Sequence, residues 1–383
     1  MPEKKKLLSI RTHKCAPAFL REKFEQPLNL LIEALKLSGI ENPDLKEAYI
    51  KKAFPNFDDL FMASDESLLD SIGPALGVVH ESRRSETAQA FLKTAKRLMI
   101  FRDVDDAKAA IIPLIKGAIR TMPRNLAALE ASGGGRDILD PFIVAFDLHL
   151  LSKGSAEHLL RNLLAHKCLM KMEDLIGHMH EEVLGRAAGK QRIPEPEGVV
   201  GPDGRKNKEK WHPQKNPYPG ADSRSEEREF YQIKNKTGSA KGSDGEKLGR
   251  QFRTLAEKYP SSKRYYVSVL GKTLAGHRSM GAFLRTDPQA EVLVGLAAFQ
   301  QLGGHRDTAE IIMDLYRETF ETVAKDLDFD FTKILERIVK EWKLKYGDDD
   351  AAYQLLIDMI TPDNPASQCS TTYKQGLENS KKG

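Results

Sequence analysis

The chain has 383 residues, of which 40% are hydrophobic and 30% charged, and its formal net charge at pH 7 is +4. This composition is typical of a folded globular protein and excludes an intrinsically disordered one. The length exceeds that of a usual single domain, so an enzymatic core with additional domains is expected. The sequence has no apolar run of roughly 20 residues, so no membrane span is predicted. Its three cysteines form no CxxC pair, so neither a disulfide framework nor a zinc cluster is predicted.

The first residues indicate a cytoplasmic protein, because Lys4, Lys5 and Lys6 are not followed by the apolar core of a signal peptide. A phosphate-binding loop is not predicted either. The tripeptide at 271–273 reads Gly-Lys-Thr, but the glycine required upstream is replaced by Tyr266. Neither a membrane partner nor a nucleotide cofactor is therefore expected.

From residue 16 to about 190 the sequence is predicted to be helical, because apolar residues recur at three- and four-residue spacings. Prolines and the glycine run at 133–135 separate the helices, although Pro113 could also sit at a kink within one helix. Residues 1–165 are interpreted as a helical N-terminal domain. The helix that follows is expected to end near residue 185.

The composition changes at residues 193–245, which are rich in Pro, Gly, Asn, Lys and Ser and have no helical periodicity. Two segments with aromatic and β-branched residues predict strands at 229–236 and 264–270. A helix over 244–259 is predicted between them, with Ser243 and Glu246 as a capping box. Asp222 is expected to end the strand that precedes 229–236.

Beyond residue 280 the pattern again predicts helices, over 287–303, 307–345 and 349–360, followed by a polar tail. Residues 276–383 are therefore interpreted as a helical C-terminal region.

Positive charge is concentrated in the middle of the chain, where residues 201–280 contain 18 Lys and Arg against 9 Asp and Glu. Such an excess suits a polyanion such as a nucleic acid, and it would equally fit a solvated basic surface. The predicted DNA contacts are Lys208, Lys210, Lys215, Lys236, Lys241 and Arg250.

The candidate chemistry lies in a carboxylate that precedes a Gln-x-Lys sequence. On a strand with a two-residue repeat, Gln232 and Lys234 project from the same face, close to Asp222. Asp222 and the side-chain carbonyl of Gln232 supply the oxygen ligands that Mg²⁺ prefers, and Lys234 can orient the attacking water and stabilise the phosphate in the transition state. The sequence thus predicts a magnesium-dependent phosphodiesterase site.

A further carboxylate is expected from the helix that ends near residue 185. Its apolar stripe includes Met179 and Val183, and Glu182 is predicted to lie on that stripe while Glu181 points away. Glu182 is therefore the candidate for an additional metal or water ligand. The alternative is a glutamate at the helix end that reaches solvent.

These residues resemble the PD-(D/E)xK nuclease superfamily, and in particular its type II restriction endonucleases, over residues 166–272, and residues 166–275 are interpreted as the catalytic core. Asp222 matches the first acid of the motif, Lys234 its lysine, and Gln232 stands in the second acidic position, which is a departure from the pattern. The resemblance implies an α/β fold with a restriction-endonuclease-like core, in the order helix, three-stranded meander, helix, strand. It also implies Mg²⁺ and products with 5′-phosphate ends.

The leading hypothesis is a type II restriction endonuclease that acts on double-stranded DNA as a homodimer, because a twofold protein matches a palindromic target. A repair or junction-resolving nuclease with the same core is the enzymatic alternative. The other alternative is a helical DNA-binding protein that binds phosphates without cleaving them.

Overall fold

The structure, a computed structural model, describes residues 15–41, 43–130, 146–193, 199–200, 206–207, 217–226, 228–236, 242–271 and 278–347. Over these ranges the protein is mixed α/β, with a five-stranded sheet flanked by helices. The predicted α/β class is confirmed at this level. In the part of the chain that is described, no helix is both long and apolar enough to cross a membrane.

The helices are α1 (Ala18–Phe24), α2 (Pro27–Leu37), α3 (Glu47–Ala53), α4 (Phe57–Phe61), α5 (Asp65–Ser71), α6 (Gly73–Gly77), α7 (Glu81–Ile100), α8 (Val104–Thr121), α9 (Leu126–Glu130), α10 (Ala156–Leu184), α11 (Gly242–Lys258), α12 (Arg278–Thr286), α13 (Leu296–Gly303), α14 (Thr308–Asp326) and α15 (Phe331–Tyr346). The strands are β1 (Gln191–Arg192), β2 (Val199–Val200), β3 (Lys206–Asn207), β4 (Ser223–Ser225), β5 (Glu229–Lys236), β6 (Lys263–Leu270) and β7 (Glu291–Val294). A short π-helical turn spans Asp147–Leu151, and a 3-10 turn spans Ala187–Gly189.

The five-stranded sheet has the order β1-β4-β5-β6-β7. β4 is antiparallel to both of its neighbours, whereas β5, β6 and β7 run parallel to one another. α11 connects the parallel strands β5 and β6, which a tight hairpin cannot join. β2 and β3 pair with each other in a separate two-stranded sheet.

The central strands are buried on both faces, which explains their apolar and aromatic composition. On one face the rings of Tyr231 and Tyr265 stack with centroids 5.0 Å apart. On the other face Phe230 and Tyr266 join an apolar cluster with residues of α11 and α12, including Phe252. Burial on both sides fixes the register of β5, because a shift by one residue would exchange its two faces.

Two glycines let α11 and α12 pack closely. A Cβ atom at Gly245 would overlap the carbonyl oxygen of Ser279, and one at Gly249 would lie 2.6 Å from Cβ of Thr286. Neither position has room for a side chain. The two helices therefore cover one face of the sheet with their backbones in contact.

The chain divides into two compact units, one formed by residues 1–115 and 176–323 and the other by residues 116–175 and 324–383. The first unit contains the sheet and a helical part built from α1 to α7, which share one apolar core. Side-chain caps start several of the short helices of this part. Asn56 accepts hydrogen bonds from the first amides of α4, and Ser64 caps α5 in the same way.

In the second unit, the first half of α10 packs with α9 and α15. Its apolar core includes Leu126, Leu160, Ile338 and Trp342. The Glu341 carboxylate also accepts a hydrogen bond from the Leu126 amide at 2.7 Å. This contact anchors the start of α9 to α15.

Both predicted strands are confirmed, the first with the same bounds and the second one residue longer. The helix between them begins at Gly242, so Ser243 lies inside it and the predicted start of the helix is wrong. Pro113 lies within α8, in agreement with the second of its two interpretations. The uninterrupted helix predicted over 287–303 is wrong, since β7 occupies Glu291–Val294 and extends the sheet beyond residue 275. The helix predicted over 349–360 lies outside the described residues, and the three predicted domains stay a prediction.

Candidate active site

Asp222 lies immediately before β4, between two strands of the sheet. Its amide donates to the carbonyl of Tyr231 at 2.7 Å, and its own carbonyl accepts from the amide of Ile193 at 2.8 Å. The backbone of Asp222 is thus held from both sides. The prediction that Asp222 ends a strand is wrong, because β4 begins at the next residue.

The carboxylate of Asp222 is bound to β5. Its Oδ2 atom accepts hydrogen bonds from Nε2 of Gln232 at 2.5 Å and from the amide of Ile233 at 2.7 Å. Gln232 is buried, with only 6% of its surface exposed. The structure therefore brings Asp222 and Gln232 into direct contact, although they lie on different elements.

Lys234 meets a carboxylate from α10. Its Nζ lies 3.6 Å from Oε1 of Glu181, and 31% of the lysine side chain is exposed. The remaining contacts of this glutamate use Oε2, which lies 3.2 Å from the guanidinium of Arg192 and 3.8 Å from Nδ1 of His178. Glu181 thus links α10 to β1 and β5.

The prediction that Glu182 faces this site while Glu181 points away is wrong. Glu181 is the buried member of the pair, with 8% of its surface exposed. Glu182 forms ion pairs with Arg186 and Arg192 instead. The apolar stripe of α10 could not separate the two, because Lys234 and Arg192, which pair with Glu181, come from other elements.

Electrostatics distinguish the two carboxylates of the site. Burial, reinforced by the negative charge of Glu181, raises the pKa of Asp222 to about 7. Burial also raises the pKa of Glu181, but His178, Lys234 and Arg192 outweigh this effect and bring it below its ordinary value. Glu181 is thus the better stabilised anion, and Asp222 carries the less favourable charge.

The oxygen atoms beside Asp222 suit a hard divalent cation. Within the described residues, Oδ1 of Asp222 and Oε1 of Gln232 accept no hydrogen bond, although Oδ2 and Nε2 of the same side chains bond to each other. Mg²⁺ is commonly held by one or two protein oxygens together with waters and substrate phosphates. The described part of the chain offers no cluster of three or more His, Cys, Asp and Glu side chains for a metal. Asp222 and Gln232 could supply two oxygen ligands to such a cation, and its other ligands would be waters and substrate phosphates.

Tyr266 lies on β6 opposite Gln232 in the parallel register. Burial, together with the charge of Asp222, raises the pKa of this tyrosine to about 12. Its hydroxyl group is buried and has no hydrogen-bond partner among the described residues. Tyr266 therefore places an uncharged side chain near the carboxylate of Asp222.

Four of the six predicted DNA contacts, Lys208, Lys210, Lys215 and Lys241, lie outside the described residues. Lys236 is the last residue of β5. Arg250 is exposed on α11, where it pairs with Glu246 at 3.4 Å. The DNA contacts predicted at these positions stay a prediction.

Sequence reasoning missed Glu181 and Arg192. A glutamate pair at the end of an amphipathic helix gives a weak signal, since either member can face the protein. Arg192 precedes a proline-rich segment, where a basic residue is ordinarily expected on the surface. Its burial depends on carboxylates and carbonyls that only the folded chain brings near it.

In comparisons with known proteins, no family model matches the chain and no curated protein sequence matches it.

Proposed function

We propose that this protein is a Mg²⁺-dependent DNA endonuclease that hydrolyses phosphodiester bonds at the site formed by Asp222, Gln232, Lys234 and Glu181. One observation carries the proposal. A carboxylate whose pKa is raised to about 7 accepts a hydrogen bond from the side-chain amide of Gln232 and lies within electrostatic reach of a second carboxylate that is paired with a lysine. Perturbed carboxylates of this kind cluster at functional sites, and a bound cation would relieve the repulsion between them.

The order of the elements around the site supports the proposal. α10 is followed by β1, β4 and β5, which form an antiparallel meander, and then by α11 and the parallel strand β6. This is the order of helix, meander, helix and strand implied by the resemblance to the PD-(D/E)xK nucleases. The β2–β3 hairpin is an addition between the first two strands of the meander.

The side chains of the site divide the chemistry between them. Asp222 and Gln232 would hold the cation through their carboxylate and amide oxygens. When bound, Mg²⁺ supplies a positive charge that acidifies a water molecule and neutralises the charge developing on the phosphate. Lys234 would orient the attacking water and stabilise the pentavalent phosphate, and its ion pair with Glu181 would hold the lysine in position.

The finer proposal is a type II restriction endonuclease that cuts double-stranded DNA at a specific sequence as a homodimer. A twofold symmetric pair of active sites cuts both strands of a palindromic target. The basic character of residues 201–280, with 18 Lys and Arg against 9 Asp and Glu, suits binding to the DNA backbone.

A plasmid-cleavage assay tests both levels of the proposal. The purified protein is incubated with supercoiled plasmid and either Mg²⁺ or Mn²⁺, beside the variants Asp222→Ala and Lys234→Ala. Lys263→Ala is the matched control, because Lys263 is an exposed lysine at the start of the adjacent strand. Discrete fragments that depend on Asp222 and Lys234, but not on Lys263, support a restriction endonuclease.

Other results would change the conclusion. Cleavage confined to branched or damaged DNA would replace the restriction activity by a repair or junction-resolving one. Intact plasmid with both metals, or full activity in either site variant, would overturn the proposed nuclease site.

A further inference from the structure

Arg192 connects the two carboxylate-bearing parts of the site. It lies at the end of β1, and only 7% of its side chain is exposed. One terminal nitrogen donates to the carbonyl of Asp222 at 2.7 Å. The other lies 3.2 Å from the Glu181 carboxylate, and Nε lies 3.1 Å from Glu182. A single guanidinium group therefore spans the backbone of Asp222 and the end of α10.

A neighbouring glycine makes room for this arrangement. A Cβ atom at Gly185, just after α10, would lie 2.9 Å from Cδ of Arg192. The side chain of Arg192 therefore passes directly over the end of the helix. β4 is attached to the same end, because the Ser223 hydroxyl donates to the Gly185 carbonyl at 2.7 Å.

The chemistry of these contacts requires arginine. A guanidinium presents five donors in a planar fork, whereas a lysine ammonium at the end of a flexible chain cannot reach acceptors on opposite sides. The burial of Arg192 also separates it from the exposed basic residues, because a guanidinium enclosed by protein cannot follow the DNA backbone. Its contacts are with the site itself.

We propose that Arg192 is a positioning residue for DNA cleavage, which fixes Glu181, and through it Lys234, relative to Asp222. The inference rests on the proposed nuclease function and extends it to a residue outside the motif. A change in these positions lowers the rate of the chemical step, because the lysine and the carboxylate must face the same phosphate. DNA binding is expected to change little, since only 7% of the Arg192 side chain is exposed.

The test compares Arg192→Lys with Arg186→Lys in steady-state plasmid cleavage with Mg²⁺. Arg186 is the matched control, because it pairs with Glu182 and Asp106 but contacts neither Glu181 nor Asp222. Arg192→Lys is expected to lower kcat by about 10- to 100-fold while KM changes by less than about twofold, as is usual for residues that orient catalytic ligands. Arg186→Lys is expected to keep the wild-type kcat.

Chemical rescue separates positioning from a general loss of folding. Added guanidinium at millimolar concentration is expected to restore part of the activity of Arg192→Ala, and none of the activity of Lys234→Ala. The inference is overturned if Arg192→Lys has the wild-type kcat, if its loss appears only in KM, or if Arg186→Lys loses as much.

A measurement without DNA distinguishes failure of this inference from failure of the nuclease proposal. Midpoints of thermal unfolding are compared for Arg192→Gln, Glu181→Gln and the double variant. If Arg192 holds Glu181, the double variant loses clearly less in Tm than the sum of the single losses. Additive losses in Tm overturn the inference about Arg192, even if the wild type cleaves DNA. If the losses are not additive but the wild type does not cleave DNA, only the proposed nuclease function is overturned.

Discussion

Oε1 of Glu181 lies 3.6 Å from Nζ of Lys234, which joins the end of α10 to the third strand of the sheet. This ion pair is partly shielded, since 11% of the Glu181 side chain and 31% of the Lys234 side chain are exposed. The lysine is therefore held by protein while part of it still reaches solvent. An ammonium group in this position can face both a substrate phosphate and its own counter-ion.

Lys234 is expected to be the residue on which cleavage depends most. Lys234→Ala removes the only group assigned to orient the water, so kcat on plasmid should fall by about 10²-fold or more. DNA binding measured in Ca²⁺, where cleavage is suppressed, should change little. Lys263→Ala should resemble the wild type in both measurements, and equal losses in the two variants would contradict the assignment.

Glu181 and Glu182 are expected to differ strongly in their effect on activity. Glu181→Gln keeps the size of the side chain but removes the charge opposite Lys234, so kcat should fall by about tenfold or more. Glu182→Gln weakens contacts with Arg186 and with Nε of Arg192, but the terminal nitrogens of Arg192 keep their contacts with Asp222 and Glu181, so kcat should stay within about threefold of the wild type. Plasmid cleavage of the two variants side by side decides the point, and the reverse ranking would restore the assignment made from sequence.

Asp222 should make the metal-free protein less stable as the pH rises. Its pKa is about 7 in the folded state against 3.8 in the unfolded chain, so between these values the folded state retains a proton that the unfolded state has released. The free energy of unfolding therefore falls with increasing pH across this window, by up to about 4 kcal/mol. Glu181 acts in the opposite sense, because its pKa is lowered on folding.

Urea unfolding in EDTA at several pH values, with Asp222→Asn for comparison, measures how much Asp222 contributes to the pH dependence of the free energy of unfolding. The asparagine variant cannot ionise, so the fall in stability between pH 4 and 7 should be reduced in it. Added Mg²⁺ should stabilise the wild type near pH 7 and leave Asp222→Asn unchanged. The same pH dependence in both proteins would contradict the raised pKa.

The ion pair of Arg264 and Asp287 should be important for the stability of the sheet. Its two hydrogen bonds, of 2.8 and 3.0 Å, lie where the side chains are only 3% and 6% exposed. Arg264→Met leaves a buried carboxylate without its partner and should lower the free energy of unfolding by about 3 to 5 kcal/mol. The double variant Arg264→Met/Asp287→Leu should lose less, and a larger loss in it would contradict this explanation.

Two glycines on the packed helix pair should respond in opposite ways to alanine. Gly245→Ala places a methyl group onto the Ser279 carbonyl, so α12 must move and the stability should fall by about 1 to 3 kcal/mol. At Gly281 the added atom meets only the end of the flexible Arg285 side chain, at 3.4 Å. Gly281→Ala should therefore stabilise the protein by about 0.5 to 1 kcal/mol through the higher helix propensity of alanine. Thermal unfolding of both variants checks the contrast.

Local patterns were sufficient for β5, β6 and most helices. The two strands combine aromatic and β-branched residues in short runs, and the alternation along β5 places Gln232 and Lys234 together whatever the rest of the fold. The strand β7 was missed because Glu291–Val294 has only four residues and precedes a helical pattern. In such a short segment the pairing with β6, a tertiary interaction, decides the conformation.

Spacing along the chain was enough to predict the strand–helix–strand order of β5, α11 and β6 and the proximity of Asp222 to the Gln232–Lys234 strand. Which glutamate of α10 contacts Lys234, and the enclosure of the Arg192 side chain, depend instead on tertiary packing. These outcomes depend on charges that come from separate elements and meet only when α10, β1 and β5 have packed. Periodicity identifies the face of a helix, but the partner across that face is set by the fold.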